Sequence, residues 1–558
     1  MTYMADHDDR LLFVPLGGSG EIGMNLNLYG HKGRWLMVDL GMTFAGDQVP
    51  GVDLIFPRVD FIKQERDQLE GLVLTHGHED HIGAVPYLWK ELRCPIYATP
   101  FTAALVRDKL AEAGLLKEVP LYEVAAGETL ELGPFKARYV PLAHSIAEGH
   151  GIAIETGQGT LFHTGDWKLD DRPLIGPANP ETPLTELGDK GVLAMIGDST
   201  NVFNAHESGS EAAVRESLVD LAQTVEKRLV ITTFASNVAR LETIGAVAKA
   251  TGRHLCLIGR SMKRILQAGQ QTGYFTDMPP LIDEEDVADL RREKVLIACT
   301  GCQGEYRAAL ARIARGEHRN ISLSEGDTVV FSSKIIPGNE LGLGALFNGL
   351  ALQGVETVTE KDAFIHVSGH PGRAELARMY EWVRPKLAIP VHGEPRHLLR
   401  HARFAREQGV EQAIVPHNGD VIRIAPDGLE KVGEVTHGRL ALDGKVVVPL
   451  DGYSIVERRR IAQNGLISVS LVIDDAGEMM AEPLLAPQGV PGLDDALYDA
   501  LLEQTETMLD KLGAKRRLDD GQVEEATRIA LRRVCRRALD RNPVVDVLIT
   551  REQDLYGD

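Results

Sequence analysis

Residues 76–81 read His76-Gly77-His78-Glu79-Asp80-His81, and three imidazoles with a carboxylate inside six positions are the strongest chemical signal in the chain. Such donors suit Zn²⁺, which takes imidazole nitrogen and carboxylate oxygen at about 2.0–2.2 Å. His76 and His78, two apart, can grip one ion from the same side. Asp80 and His81 fall where the next helix should begin and can reach a second ion. Three further residues stand just beyond aliphatic runs: His144 in Pro141-Leu142-Ala143-His144-Ser145, Asp166 in His163-Thr164-Gly165-Asp166, and His392 in Pro390-Val391-His392-Gly393-Glu394. Singly, each reads as a hydrogen-bonded structural residue. Jointly they complete two adjacent sites, with His76, His78 and His144 on one ion, Asp80, His81 and His392 on the other, and Asp166 bridging. Asp39, at the end of the run 34–38, is placed to orient a ligating imidazole from behind.

Residues so far apart in sequence meet only if the elements carrying them end together. Short aliphatic runs at 34–38, 72–74, 160–162, 192–196, 364–367 and 386–391 each end in a polar cluster and alternate with amphipathic stretches through the first 420 residues. That is the pattern of an α/β sandwich with buried strands. Side chains beyond the C-terminal ends of neighbouring strands share one crevice. Between Asp166 and His392 runs a second series of strands, 229–234, 254–258, 295–298 and 328–331, sufficient for a sheet of its own and hence for an inserted domain. After about residue 425 come hairpin-like pieces at 443–453, a strand at 466–473, two amphipathic helices near 493–512 and 520–539 and a strand at 544–549. The expected division is a first domain from 1–205 and 361–425, an insert at 206–360, a connecting region packed on the sandwich at 426–463, and a small α+β domain at 464–558.

Composition narrows the function classes. The chain has 558 residues, with 60 Lys and Arg against 81 Asp and Glu, a formal charge of −21. A protein this acidic does not coat polyanions non-specifically, so a nucleic-acid partner must be drawn to a local basic patch or a metal. Five scattered cysteines are too few for a disulfide scaffold and point to a reducing compartment. Residues 1–10 are polar and acidic, with no cationic segment leading into an apolar stretch, and no apolar run nears the roughly 18–20 residues that cross a bilayer. The expectation is a soluble, cytoplasmic protein without a membrane partner. Gly18-Ser19-Gly20-Glu21-Ile22-Gly23 matches G-x-G-x-x-G, but the next strand follows too soon for a crossover helix, so it reads as a tight loop near the crevice. Cys299 and Cys302 form a lone CxxC inside a turn and suggest no thiol chemistry. The basic groups Arg458-Arg459-Arg460, Lys515-Arg516-Arg517 and Arg532, Arg533, Arg536 and Arg537 read as solvated faces, or as contacts to RNA or to another subunit.

The cluster at 76–81 with Asp39, His144 and Asp166 resembles the metallo-β-lactamase superfamily, which implies an αββα sandwich. Asp198 in Gly197-Asp198-Ser199-Thr200, His370 in Ser368-Gly369-His370-Pro371, and His392 resemble the three added motifs of its β-CASP branch, whose inserted domain is α/β. Within that branch the chain is similar to the ribonuclease J family over essentially its whole length, including residues 17–25 and Thr300-Gly301-Cys302-Gln303-Gly304-Glu305. Cys302 departs from the Ser expected there. A His at the third added motif goes with RNA-processing members.

The resemblance implies a two-metal phosphodiester hydrolase using Zn²⁺, two per chain, with Mn²⁺ or Mg²⁺ as the alternatives these ligand types accept. It implies a 5′-to-3′ exonuclease, with endonucleolytic cuts as well, acting on single-stranded 5′-monophosphorylated RNA in maturation and decay. Asp80, Asp198 and His370 are the implied catalytic residues, with His370 protonating the leaving 3′-oxygen and Asp198 polarising it. Ser236 and Asn237, between a strand and a helix, and His366, Val367, Ser368, Gly369 and His370, at the implied domain interface, are the candidate pocket for a terminal phosphate. A homodimer or homotetramer through the C-terminal domain and partners in an RNA-decay complex are implied too. Two rival readings stand beside this one: a zinc hydrolase of small thioesters or lactams, and a catalytically silent RNA-binding scaffold.

Overall fold

The computed structural model describes residues 8–46, 48–177, 180–336 and 338–555. Residues 1–7 of the acidic N-terminal stretch read above lie outside the described residues.

Eight strands form one sheet, in the order Glu430–Glu434, Asp420–Ala425, Leu11–Gly17, Leu26–His31, Arg34–Val38, Leu69–Val73, Ile96–Ala98 and Leu121–Glu123. Seven form a second, in the order Gln412–Ala413, Leu387–Val391, Ala194–Asp198, Gly159–His163, His150–Thr156, Phe135–Pro141 and Thr129–Leu132. Side chains alternate between the faces of a strand, so Leu11, Phe13, Leu36 and Val73 of the first sheet meet Phe135, Tyr139, Ile152 and Ile196 of the second in one buried core. The other face of the second sheet offers Val140, Phe162 and Met195 to the helices Glu181–Lys190, Arg373–Val383 and Pro395–Glu407, which bury Leu184, Met379 and Phe404 against it. Helices Val85–Leu92 and Pro100–Glu112 follow strands of the first sheet and bury Leu88, Trp89, Phe101 and Leu105. The result is the αββα sandwich that the alternation of elements predicts. Strands covered on both faces are apolar throughout, which is why these runs show no period of two.

The chain leaves the second sheet at Asp198 and returns to it at Leu387. The strands Ala194–Asp198 and Leu387–Val391 are parallel neighbours with Ala194 opposite Leu387 and Asp198 opposite Val391, so everything between them is an excursion between two adjacent strands that leaves at the C-terminal edge of the sheet and re-enters at the other edge. That excursion carries a five-stranded parallel sheet in the order His254–Ile258, Val295–Cys299, Leu229–Thr232, Thr328–Phe331 and Glu356–Val358, with its own core. The aliphatic run 364–367 is not a strand: it crosses back as irregular chain, its Ile365 carbonyl accepting hydrogen bonds from Arg240 Nη1 (2.9 Å) and Ser332 Oγ (2.7 Å). Nearby, the buried Glu375 carboxylate accepts from the backbone N–H groups of Leu169, Ser208 and Gly372 at 2.7–2.9 Å and from Ser208 Oγ at 2.7 Å.

By contacts the chain divides into one unit of residues 1–43 and 56–439 and another of 44–55 and 440–558. The stretch expected as a connecting region at 426–463 therefore does not act as one piece. Glu430–Glu434 extends the edge of the eight-stranded sheet, whereas Arg439–Asp443 and Val446–Pro449 make a hairpin in a four-stranded sheet with Val52–Pro57 and Thr43–Phe44. Strands this short, and distant in sequence, have no periodicity to read. In the second unit the strand Leu466–Ile473 lies between Leu484–Gln488 and Val544–Arg551, and its buried Ile467, Val469 and Leu471 pack on helices Asp495–Lys511 and Asp520–Leu539. Among the described residues no helix is long and apolar enough to cross a membrane.

Replacing Glu375 by Ala strands three buried N–H groups, each costing about 1–3 kcal/mol. We expect Glu375→Ala to lower the midpoint of chemical unfolding clearly and Glu375→Gln, which keeps one carbonyl acceptor, to lower it less; equal midpoints for wild type and Glu375→Ala would contradict this.

Candidate metal centre

Asp39 follows Arg34–Val38, residues 75–81 follow Leu69–Val73, His144 follows Phe135–Pro141, Asp166 follows Gly159–His163, Asp198 ends its strand, and His392 follows Leu387–Val391. All these strands end at one edge of the sandwich, and their side chains converge there. The potential ligand atoms of His76, His78, His144 and Asp166 lie within 4.8 Å of one another, as do those of Asp80, His81, Asp166 and His392. Asp166 Oδ2 is shared, at 3.8 Å from His76 Nε2, 4.0 Å from His144 Nε2, 3.2 Å from His81 Nε2 and 3.3 Å from His392 Nε2. Asp80 Oδ2 stands 3.6 Å from both His81 Nε2 and His392 Nε2. A third overlapping group joins Asp166 and His392 to Asp198 and His370. The structure thus brings together all seven candidate ligands.

Hydrogen bonds behind the cluster decide which nitrogen of each ring faces inward. His81 Nδ1 donates to Asp39 Oδ2 at 2.7 Å. Thr75 Oγ1 donates to Asp39 (2.9 Å) and so can only accept from His76 Nδ1, 3.0 Å away. His144 Nδ1 donates to the Gly369 carbonyl (2.6 Å), and His392 Nδ1 to Asn25 Oδ1 (3.0 Å). With Nδ1 so engaged on each of the four rings, it is Nε2 that faces the centre. His76 Nε2 and His144 Nε2 lie 3.0 and 3.1 Å from His78 Nδ1, and with Asp166 Oδ2 at 3.8 and 4.0 Å these groups converge on one point. A cation satisfies that arrangement, and the imidazole and carboxylate set fits a divalent metal.

The electrostatics differ between the two halves. Burial, then the neighbouring imidazoles, push His76 and His78 well below the ordinary histidine range, and burial takes His144 down to about 4, so this half is a set of neutral ligands. Burial would also lower His81, but Asp166, Asp80 and Asp39 carry it well above the ordinary range; Asp166 chiefly does the same for His392. Asp166 is itself held well below the carboxylate range, with His392 and His81 outweighing its burial. His370 Nδ1 donates to Asp198 Oδ2 at 2.8 Å, and Asp198 with Asp166 raises it to about 9 against its burial.

Tight backbone contacts hold the loops in register. Gly41 has no room for a side chain, since an added Cβ would lie 1.7 Å from the Asp80 carbonyl. His392 N donates to Gly18 O (2.7 Å), and Ser19 and Glu21 bridge to Gly393, so the glycine-rich loop is a clamp on His392, as its lack of a crossover helix implies. Asp39 and His392 both take left-handed backbone angles, φ 63° and 53°, which swing their side chains sharply off the strand ends.

The proposed phosphate pocket is rearranged relative to expectation. Asn237, not Ser236, caps the helix Val238–Thr251, its Oδ1 accepting from Arg240 N, while Ser236 is half-buried beside it. Val238 N donates to Ser145 O, which ties this helix start to the residue next to His144. Val367 is buried, and Ser368 closes a turn on His370. The Gly369 carbonyl is engaged by His144. His366 is half-buried with an Nδ1 that has no partner among the described residues. Sequence reasoning missed Thr75 and Asn25, whose polar types are too common to single out, and the Ser199–His401–Tyr380 chain of 2.9 Å hydrogen bonds behind Asp198. Cys299 and Cys302 are buried thiols pushed up to about 12 by burial, which removes them from chemistry.

The sandwich, its insert and this cluster define a metallo-β-lactamase-fold hydrolase of the β-CASP type. Family descriptions match accordingly: "Metallo-beta-lactamase superfamily" over residues 24–223, "Ribonuclease J, beta-CASP domain" over 226–350, "Zn-dependent metallo-hydrolase RNA specificity domain" over 355–416 and "Ribonuclease J C-terminal domain" over 453–552. Relatives named ribonuclease J include one from Sinorhizobium meliloti, 41% identical over 98% of both chains, and one from Corynebacterium glutamicum, 37% identical over 96% of this chain and 75% of the relative. Ribonuclease J 1 of Streptococcus pyogenes is 35% identical over 88% of each. A solved structure of a protein of unknown function from Enterococcus faecalis shares the fold, with a TM-score of 0.52 and 14% identity over 74% of this chain and all of that one. The chain belongs to the ribonuclease J family and is a metal-dependent ribonuclease.

Asp39 fixes a ligating ring without touching the centre. Asp39→Asn is expected to weaken divalent-metal affinity by about 10–100-fold, as removal of such partners does; an unchanged equilibrium metal titration would contradict the role assigned to it.

Proposed function

We propose that this chain is a 5′-to-3′ exonuclease of single-stranded RNA bearing a 5′-monophosphate, able also to cut internally. The observation that carries the reading is the segment 366–370. At one end His366, with its unpartnered buried Nδ1, is pushed down to about 3 by burial and by the positive field of Arg240, Lys334 and Lys168, a setting that favours an anion. At the other end His370 stands on the metal cluster. Four residues of chain span at most about 14 Å, so a terminal phosphate seated at His366 and a bond cut at His370 belong to the same end of one strand. Ser236 and Asn237 at the neighbouring helix start, with Val367, Ser368 and Gly369 as the wall, complete the pocket we assign.

His76, His78, His144, Asp80, His81, His392 and the bridging Asp166 are the proposed ligands of two ions, Zn²⁺ by their imidazole content, with Mn²⁺ or Mg²⁺ as substitutes. Two such ions supply charge neutralisation on the phosphoryl oxygens and activation of the attacking water. Asp80, whose side chain is partly open to solvent, is placed to meet that water. Asp198 accepts the Nδ1 proton of His370 and so presents the Nε2 proton outward, and a ring raised to about 9 carries it at neutral pH. His370 then delivers this proton to the leaving 3′-oxygen. The insert at 206–360, carried between two adjacent strands of the sheet, is the proposed cover that admits one strand. The division at 361–425 and 464–558, assembly into dimers or tetramers through the C-terminal domain, association with RNA-decay partners and a cytoplasmic setting complete the proposal. The five buried, unpaired cysteines suit that compartment.

The test uses a 3′-labelled single-stranded RNA with either a 5′-monophosphate or a 5′-triphosphate. Wild type with metal should shorten the monophosphate RNA from its 5′ end and largely spare the triphosphate, and a chelator or the Asp80→Ala, His81→Ala double variant should abolish this. His370→Ala should lower kcat by about 10²–10⁴-fold at unchanged metal content. Equal internal cutting of both RNAs would overturn the end-recognising reading.

A further inference from the structure

The inserted sheet carries a second concavity that the catalytic cluster does not use. It lies where the edge strand His254–Ile258 and its neighbour Val295–Cys299 end, at Gly259 and Thr300, and has a volume of about 740 Å³. Arg260, Lys263, Arg264, Arg307 and Arg312 line it. The carboxylates facing them are Glu112, paired with Arg264, and Glu284, 3.2 Å from Lys263, while Arg312 donates only to the Glu317 carbonyl, so among the described residues Arg260 and Arg312 have no carboxylate within salt-bridge distance. In a chain of net charge −21 such cations need a reason. The twelve-residue helix Arg260–Gln271 also opens here, with Gly259 at its cap, no side chain accepting from its first N–H groups and no acid in its first turn, so the positive end of the helix adds to the side-chain charge.

We propose that this concavity holds backbone phosphates of the RNA strand on the 3′ side of the cut, an inference that rests on the single-stranded RNA reading above. One observation favours a strand over a free nucleotide. The wall includes Glu112, the last residue of the helix Pro100–Glu112, and earlier in that helix Leu105 packs against Gly77 of the metal loop. Seven residues of helix rise about 10 Å, so one rigid element joins the cluster to the concavity over a distance that a few nucleotides cover. The cations come from two separated segments, 260–264 and 307–312, which hides their proximity from any reading of charge runs.

The test compares 5′-monophosphorylated RNAs of about 5 and about 20 nucleotides, the shorter being too small to fill both places, in wild type and an Arg260→Ser, Arg312→Ser double variant. On the long RNA, kcat/KM should fall about tenfold or more, and the slope of its logarithm against log salt should shrink by about 1.4, the value for two lost phosphate contacts on a single strand. On the short RNA nothing should change, and an Arg260→Lys, Arg312→Lys variant should recover the long-RNA rate. Equal losses on both lengths, or no loss on the long RNA, would overturn the proposal. So would 5′-AMP binding that the Ser variant abolishes, since the site would then belong to free nucleotides. Loss of 5′-monophosphate preference in wild type would instead sink the exonuclease reading and leave the length effect measurable.

Discussion

Four histidine rings, His76, His81, His144 and His392, turn Nε2 toward one centre, and the structure around the site holds them so. Each ring could present its other nitrogen by turning over. Asp39, Thr75, Gly369 and Asn25 prevent it by engaging Nδ1 of all four. Each of these partners is fixed in turn. Asp39 continues a central strand with its N–H donating to Val73 O, Asn25 is bonded through its backbone to Asp80 and Gly41, and Gly369 belongs to the crossing that Arg240 and Glu375 pin at either side. The scaffold stores the cost of the convergence in backbone hydrogen bonds far from the centre.

The same constraint explains how the insert is attached. Because it leaves and returns between two adjacent parallel strands, Asp198 and His392 are set side by side by the sheet itself, independent of how the intervening chain folds. The returning segment then serves two purposes at once. Its Gly369 carbonyl orients a ligand of the first half of the centre, and the next residue, His370, stands against Asp198 and Asp166. The hydrogen bond that orients His144 and the His370–Asp198 pair thus come from two successive residues of one segment.

Much of this was legible in the residue string, and for definite reasons. The ligand types at 76–81 are rare at that density, and strands buried on both faces announce themselves as uninterrupted aliphatic runs. The strand at 466–473 and the helix starting at 520 follow from alternation and from a 3.6 period. Other features were not legible. The run 364–367 has strand composition but crosses as irregular chain, because Arg240 takes the Ile365 carbonyl that a sheet neighbour would otherwise use. The four-stranded sheet joining 43–57 with 439–449 rests on pairs too short and too distant to leave a pattern.

The sequence by itself determined the donor inventory, the strand ends that carry it and the sandwich class, since these depend on residue type and local period. Tertiary structure alone decided which nitrogen of each ring faces the centre and that the Gly369 carbonyl accepts from His144. It alone gathered two distant basic segments at the edge of the inserted sheet. Those properties are set by contacts between residues tens to hundreds of positions apart, and local chain chemistry carries no record of them.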